Sequence, residues 1–441
     1  MSYNEFYKSI GRVFVEGHTM SIKFFLGFSA WFIGGMLFFP AGAAAQNIPF
    51  LTPRGALERI KYDLAPISYS SAETNDPIAQ IQKKLNDGDL TLEFDDTHGY
   101  LRSLMEALEI PVESQVLVFS KTALNHRLTT PKTPRALYFN DDVYLGWIPE
   151  LDVIEITAVD PQKGGVFYSV KNDEKTDVPK FERIGNCLTC HANSNSLQVP
   201  GHLLRSHQVD DKGNPGSGLT RVTQDTPWEK RWGGWYVTGI HGSMTHMGNV
   251  FGTEQNKARR ENPELGSNVT SLELYFDTKQ YISEHSDIVA LMVLEHQTNM
   301  QNLIARYNYE TRLKQKTTVE QQLLETLFFV NEPELPDEVL GTAGFDEAFE
   351  FMGPEDFNGR SLRQLDLKNR VFKYRLSYLI YSKPFQELPE AAKKKLYLRI
   401  FNVLSGKDEN KVFQKIPAAE KRTILEILRE TIDDLPDYYK G

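Results

Sequence analysis

The chain has 441 residues, 40% of them hydrophobic and 11% aromatic, which is enough for a packed core and excludes a disordered chain. Its 59 acidic residues outnumber its 49 basic ones, for a formal net charge of -10, which argues against non-specific binding of nucleic acid or anionic lipid and suits a basic partner. With only two cysteines, three positions apart, there is no disulfide framework to hold the fold.

At the start of the chain, Lys23 precedes an apolar run from Phe24 to Phe39, then Pro40 and Ala41-Gly42-Ala43-Ala44-Ala45 before Gln46. A charged region, an apolar stretch and small residues at an A-x-A site predict a signal peptide over residues 1–45, cut after Ala45. The run is broken by Gly27, Gly34 and Gly35 and falls short of the ~20 apolar residues of a membrane span, so cleavage is expected rather than anchoring. Met20 is an alternative start. The mature protein is therefore expected in the periplasm or secreted, with no transmembrane span.

An extended, Pro-containing lead-in is expected from Gln46 to Asp76, then helices over Pro77 to Leu85 and Tyr100 to Leu108. Five short runs rich in β-branched and aromatic residues follow, namely Gln115 to Phe119, Ala136 to Phe139, Val143 to Trp147, Val153 to Thr157 and Val166 to Val170. Turn residues such as Asn140-Asp141-Asp142 and Gly164-Gly165 separate them, and the spacing predicts an antiparallel meander. The charged connector Lys171 to Lys180 closes a mixed α/β N-terminal domain, residues 46–180.

Both cysteines then occur in Cys187-Leu188-Thr189-Cys190-His191. In C-x-x-C-H each thiol can add to one vinyl group of haem, two intervening residues keep both sulfurs on one side of a helical turn, and the histidine falls under the iron. The alternative is a C-x-x-C disulfide or thioredoxin-like redox pair with an incidental histidine, but Lys180 to Asn186 reads as the start of a short helix and not as the strand such a pair needs. Residues 181–270 form the expected haem-binding segment. His191 is the proximal ligand candidate, and the loop Thr238 to Asn249 offers His241, Met244, His246 and Met247 for the distal face. Met292, His296 and Met300, at helical spacing, are a rival set that reads equally as core. His202 and His207 are nearer in sequence. Arg231, Trp232 and Trp235, with Arg221, could pair with haem propionates or wall the cofactor, or simply form a tight turn with core tryptophans.

The motif resembles that of the c-type cytochromes. Together, CLTCH, RWGGWYVTG and HMGN are similar to stretches of large exported single-haem c-type proteins of bacteria, a group without a defined reaction. The resemblance implies one covalently bound haem c held by Cys187, Cys190 and His191, and it assigns no catalytic residue.

Beyond Ser271 the period becomes helical. Asp287 to Arg312 is expected as a long amphipathic helix with Ile288, Leu291, Met292, Leu294 and Leu303 on its apolar face, followed by helices over Val319 to Val330, Leu362 to Ser382, Glu390 to Leu404 and Ala418 to Leu435. Residues 271–441 are thus a helical region packing on the haem segment, and the fold class is α+β. The acidic clusters Asp95-Asp96, Asp141-Asp142 and Glu332 to Asp337 lack the order of a calcium loop, and Asn268-Val269-Thr270 carries little meaning as a sequon. The leading expectation is single-electron transfer with a redox partner protein. A haem enzyme or small-molecule sensor of peroxide or nitrogen-oxide type, with an open distal site, is the alternative, and a non-redox protein stapled by haem is a third class.

Overall fold

In this computed structural model, residue 57 and residues 59–440 are described, except 124, 125 and 217. The expected signal peptide lies outside the described residues. Among them, no helix is long and apolar enough to cross a membrane.

Helix α1 (Pro77–Asp87) starts where Asp76 accepts from the amides of Ile78 and Ala79 and stops at Gly88, whose φ of 80° suits glycine. It buries Ile78, Ile81 and Leu85, and α2 (Leu101–Ala107) buries Leu101, Leu104 and Met105. Strands β1 (Val116–Val118), β2 (Arg135–Phe139), β3 (Val143–Trp147), β4 (Val153–Asp160), β5 (Gly164–Lys171) and β6 (Glu182–Arg183) form one antiparallel sheet in sequence order. The meander expected from the spacing of the runs is therefore present, extended by β6.

Register fixes what each face does. Ala136, Tyr138, Leu145, Trp147, Ile154, Ile156, Val166 and Tyr168 share one face and pack with α1 and α2. On the other face, Phe139, Tyr144 and Val159 reach a larger core. Beside them on that face, Arg135, Leu137, Glu155, Thr157 and Ser169 are only half-buried. There the sheet receives the cysteine segment, which contains α3 (Leu188–His191) and is followed by the small β7 (Arg205–Ser206) and β8 (Thr220–Arg221) pair and α4 (Thr253–Glu261).

The larger core is built on α5 (Ile288–Arg312), with α6 (Glu320–Leu327), α7 (Phe345–Phe351), α8 (Lys383–Gln386), α9 (Glu390–Leu404), α10 (Lys411–Gln414) and α11 (Ala418–Thr431) around it. Asp287 caps α5 by accepting from Val289 and Ala290. The expected amphipathic helix is corrected here, because every residue from Ile288 to Glu310 is buried and α5 has no solvent face. The helix expected over 362–382 is also absent. Asp366 accepts from the Lys368 amide and the Asn369 side chain, which turns the chain back so that Leu365 pairs with Phe372, and only a 3-10 turn at Tyr378–Tyr381 is helical. The described residues cluster as one unit, strand-rich early and helical late, an α+β fold.

Candidate haem-attachment site

A 3-10 turn, Gly185–Cys187, runs directly into α3, with Cys187 at φ -59° and ψ -29°. This helical backbone puts Cys187 and Cys190, three residues apart, on one side of a single turn. Both thiols are free, Cys187 half-buried and Cys190 exposed. Burial pushes the Cys187 thiol up, the Glu155 carboxylate adds to that, and the Arg135 guanidinium opposes it.

His191 is clamped at both its side chain and its backbone. Its Nδ1 lies 2.9 Å from the Gly201 carbonyl, and the Gly201 amide donates to the His191 carbonyl at 2.9 Å. A carbonyl only accepts, so Nδ1 carries the proton and the lone pair sits on Nε2, which has no protein partner among the described residues. Burial holds the imidazole at about 4 against the pull of the Gly201 carbonyl, and the Arg205 and Arg135 cations lower it further. At neutral pH the ring is therefore an uncharged nitrogen base of fixed tautomer, the form a metal requires. The Phe167 ring from β5 stands 4.8 Å from it.

Helix α5 backs this clamp. Asn302 accepts from the His202 amide and donates to the His202 carbonyl, both at 2.8 Å, which fixes the chain immediately after Gly201. A Cβ on Gly201 would come within 2.1 Å of the Asn302 Oδ1, so only glycine fits. At the end of α3, Asn193 donates to the Cys190 carbonyl at 2.7 Å and Ser196 to the His191 carbonyl at 2.9 Å.

The bordering sheet face is charged. Arg135 pairs with Glu155 at 2.7 Å and crosses Gly146, where a Cβ would be 2.0 Å from its Nη2. Arg205 has a buried Nε with no hydrogen-bond partner among the described residues. Two cations beside one carboxylate, with one orphan donor, fit an anionic group next to His191. Arg221 lies across from Arg205 and donates to Asn299 at 2.7 Å.

The other sequence candidates make contacts of their own. His241 and His246 face each other with Nε2 atoms 3.2 Å apart, where His246 Nδ1 accepts from the Gly248 amide and His241 Nε2 from the Asn268 amide. Met244 is buried, and Met247 accepts weakly from Ser206 at 3.7 Å. Among the described residues no hydrogen bond or ring contact joins any of these four to α3. Arg231 is fully buried, ion-paired with Glu295 and donating to the carbonyls of Thr226 and Gln224, with its guanidinium 3.6 Å from the Trp228 ring. Trp232 donates to Glu295 at 2.6 Å and Trp235 to the Arg205 carbonyl at 2.7 Å. These donors are engaged inside the protein, and the Arg231, Trp232 and Trp235 cluster forms a buried node.

His296 is held between Gln224 and Ser377, with Met292 and Met300 buried beside it on α5. His202 packs 4.6 Å from the Tyr144 ring, and His207 is buried with neither ring nitrogen paired. Sequence reasoning missed Gly201, Asn302, Phe167, Arg135, Glu155 and Arg205, for which no spacing signal exists. Among the described residues, no three His, Cys, Asp or Glu side chains converge on a common metal position. No family model, curated protein or solved structure matches the chain.

Proposed function

We propose that the protein is an exported, periplasmic or secreted, single-haem c-type protein that passes single electrons to or from a redox partner protein. One observation carries the reading: two free thiols on one helical turn precede a histidine whose Nδ1 is locked on a backbone carbonyl and whose Nε2 is unpaired. Haem joined there supplies a one-electron iron couple. Cys187 and Cys190 are the thioether residues, His191 is the proximal ligand, and the orphan Nε of Arg205 together with Arg135 is the cationic edge for the propionates. Gly201, braced by Asn302, keeps the imidazole oriented, and burial keeps it neutral. The net charge of -10 suits a basic partner.

The alternative, a haem enzyme or a sensor of a small molecule such as peroxide or a nitrogen oxide, gains from the engagement of His241 and His246 with each other. The test is expression in a host competent in cytochrome maturation. Wild-type protein is expected to keep its colour through acid-acetone extraction, and Cys187→Ala with Cys190→Ala is expected to lose it. Wild-type chain free of covalent porphyrin overturns the proposal. A low-spin iron that responds to replacement of His241, Met244, His246 or Met247 supports the carrier, whereas a high-spin iron that binds CO rapidly supports the enzyme or sensor.

A further inference from the structure

An open apolar groove of about 350 Å³ lies between α2, the turn Val112–Ser114 and α7. Met105, Ile110, Pro111, Ile282, Phe351 and Met352 line it. Phe351 is 91% exposed, and Phe357, just beyond α7, is 96% exposed. Large aromatic side chains left this open are costly in water and mark surfaces that become covered. The border is acidic: Glu106 and Glu109 line the groove, Glu347 is one turn before Phe351 on α7, and Glu355 follows Met352. None of these four carboxylates has an ion-pair partner among the described residues. Arg102 is the one cation in the lining, and its Nε donates to the His98 imidazole.

We propose that this groove docks a basic amphipathic segment of a partner protein, with an apolar side chain seated on Met105 and Ile110 beside Phe351 and lysines or arginines opposite Glu106, Glu109 and Glu347. Charge complementarity selects this occupant. A second copy meeting the same patch would set these carboxylates against each other, and an anionic lipid surface would be repelled by them. A small organic cation would leave Phe357, outside the groove, uncovered. Alternating apolar and basic residues on one helix face supply both halves of the match. None of the residues that line the groove is among those placed around the thiols and His191, so this surface stands apart from the haem proposal.

The test uses the full mature chain and a fluorescent synthetic helical peptide of leucine and lysine, with a leucine and glutamine version as control. Binding of the lysine peptide is expected to weaken with salt and to fall about tenfold in Phe351→Ser and in the Glu106→Gln, Glu109→Gln pair. It should be unchanged in Leu274→Ser, which removes an equally exposed apolar residue that is not part of the groove. All three changes are at exposed side chains, and an unaltered melting temperature confirms folding. Equal loss in Leu274→Ser, or no loss in the groove variants, overturns the proposal. So does displacement of the peptide by spermine at comparable affinity, which assigns a small-cation site, or concentration-dependent dimerisation abolished by Phe351→Ser, which assigns a second copy.

Discussion

At Gly201 the missing side chain lets Asn302 lie against the backbone whose carbonyl holds the ring of His191, ten residues earlier in the chain. Gly201→Ala would drive a Cβ against Asn302 Oδ1, now separated from that position by 2.1 Å. The expected cost is about 1–3 kcal/mol in denaturant unfolding, and Asn302→Ala is expected to loosen the same clamp without the clash. Cys187, Cys190 and His191 stood out in the sequence because the proposed covalent attachment of haem would require them to be adjacent. Gly201 and Asn302 were not, since their role exists only once α5 lies behind the turn. The unusual Arg231-Trp232-Gly233-Gly234-Trp235 cluster did announce a special place. What it could not name was Glu295, 64 residues from Arg231, which pairs with it in the core.

Helix α5 was legible in extent, Asp287 to Arg312, and misleading in character. Its polar residues Glu295, His296, Asn299, Asn302 and Arg306 look like a solvent face, yet each meets a partner in the interior. Local pattern records side-chain polarity and not who waits opposite. Burial raises Glu295 to about 7 while Arg231 and Trp232 pull it down. Glu295→Ala strands a buried guanidinium and is expected to cost about 3–5 kcal/mol by urea unfolding, most of it recovered when Arg231→Met is added to Glu295→Leu. His296 offers a pH readout. Burial lowers it to about 3, so the folded state favours the neutral ring. Its contribution is present above the ordinary histidine range and is lost as pH falls from there toward 3. His296→Asn is therefore expected to flatten the dependence of unfolding free energy on pH in that window by one proton, as read from urea titrations at successive pH values. The strands were the most legible elements because short runs of β-branched and aromatic residues set off by turn residues suit a sheet with little exposed surface. Residues 362–382 were the least legible, because an Asx turn at Asp366 outweighs a run of helix-forming residues.

For the whole molecule, the sequence suggested three consecutive parts, 46–180, 181–270 and 271–441. In the structure their side chains share cores: Val116, Trp232, Ile304 and Tyr439 belong to one, and Ile78, Tyr236 and Tyr309 to another. Shared cores couple the parts energetically, so a single calorimetric transition with equal calorimetric and van't Hoff enthalpies is expected for the mature protein. Two resolved transitions would show that the parts melt separately. Residues 181–270 alone, with a single short strand pair and no α5 behind it, are expected to show no cooperative transition.

A helix enclosed from Ile288 to Glu310 leaves evolution no side on which to drift. Saturation mutagenesis across those positions should therefore record intolerance without the three-to-four-residue rhythm seen in a helix that has one face in water, and the polar positions should be as unforgiving as the leucines.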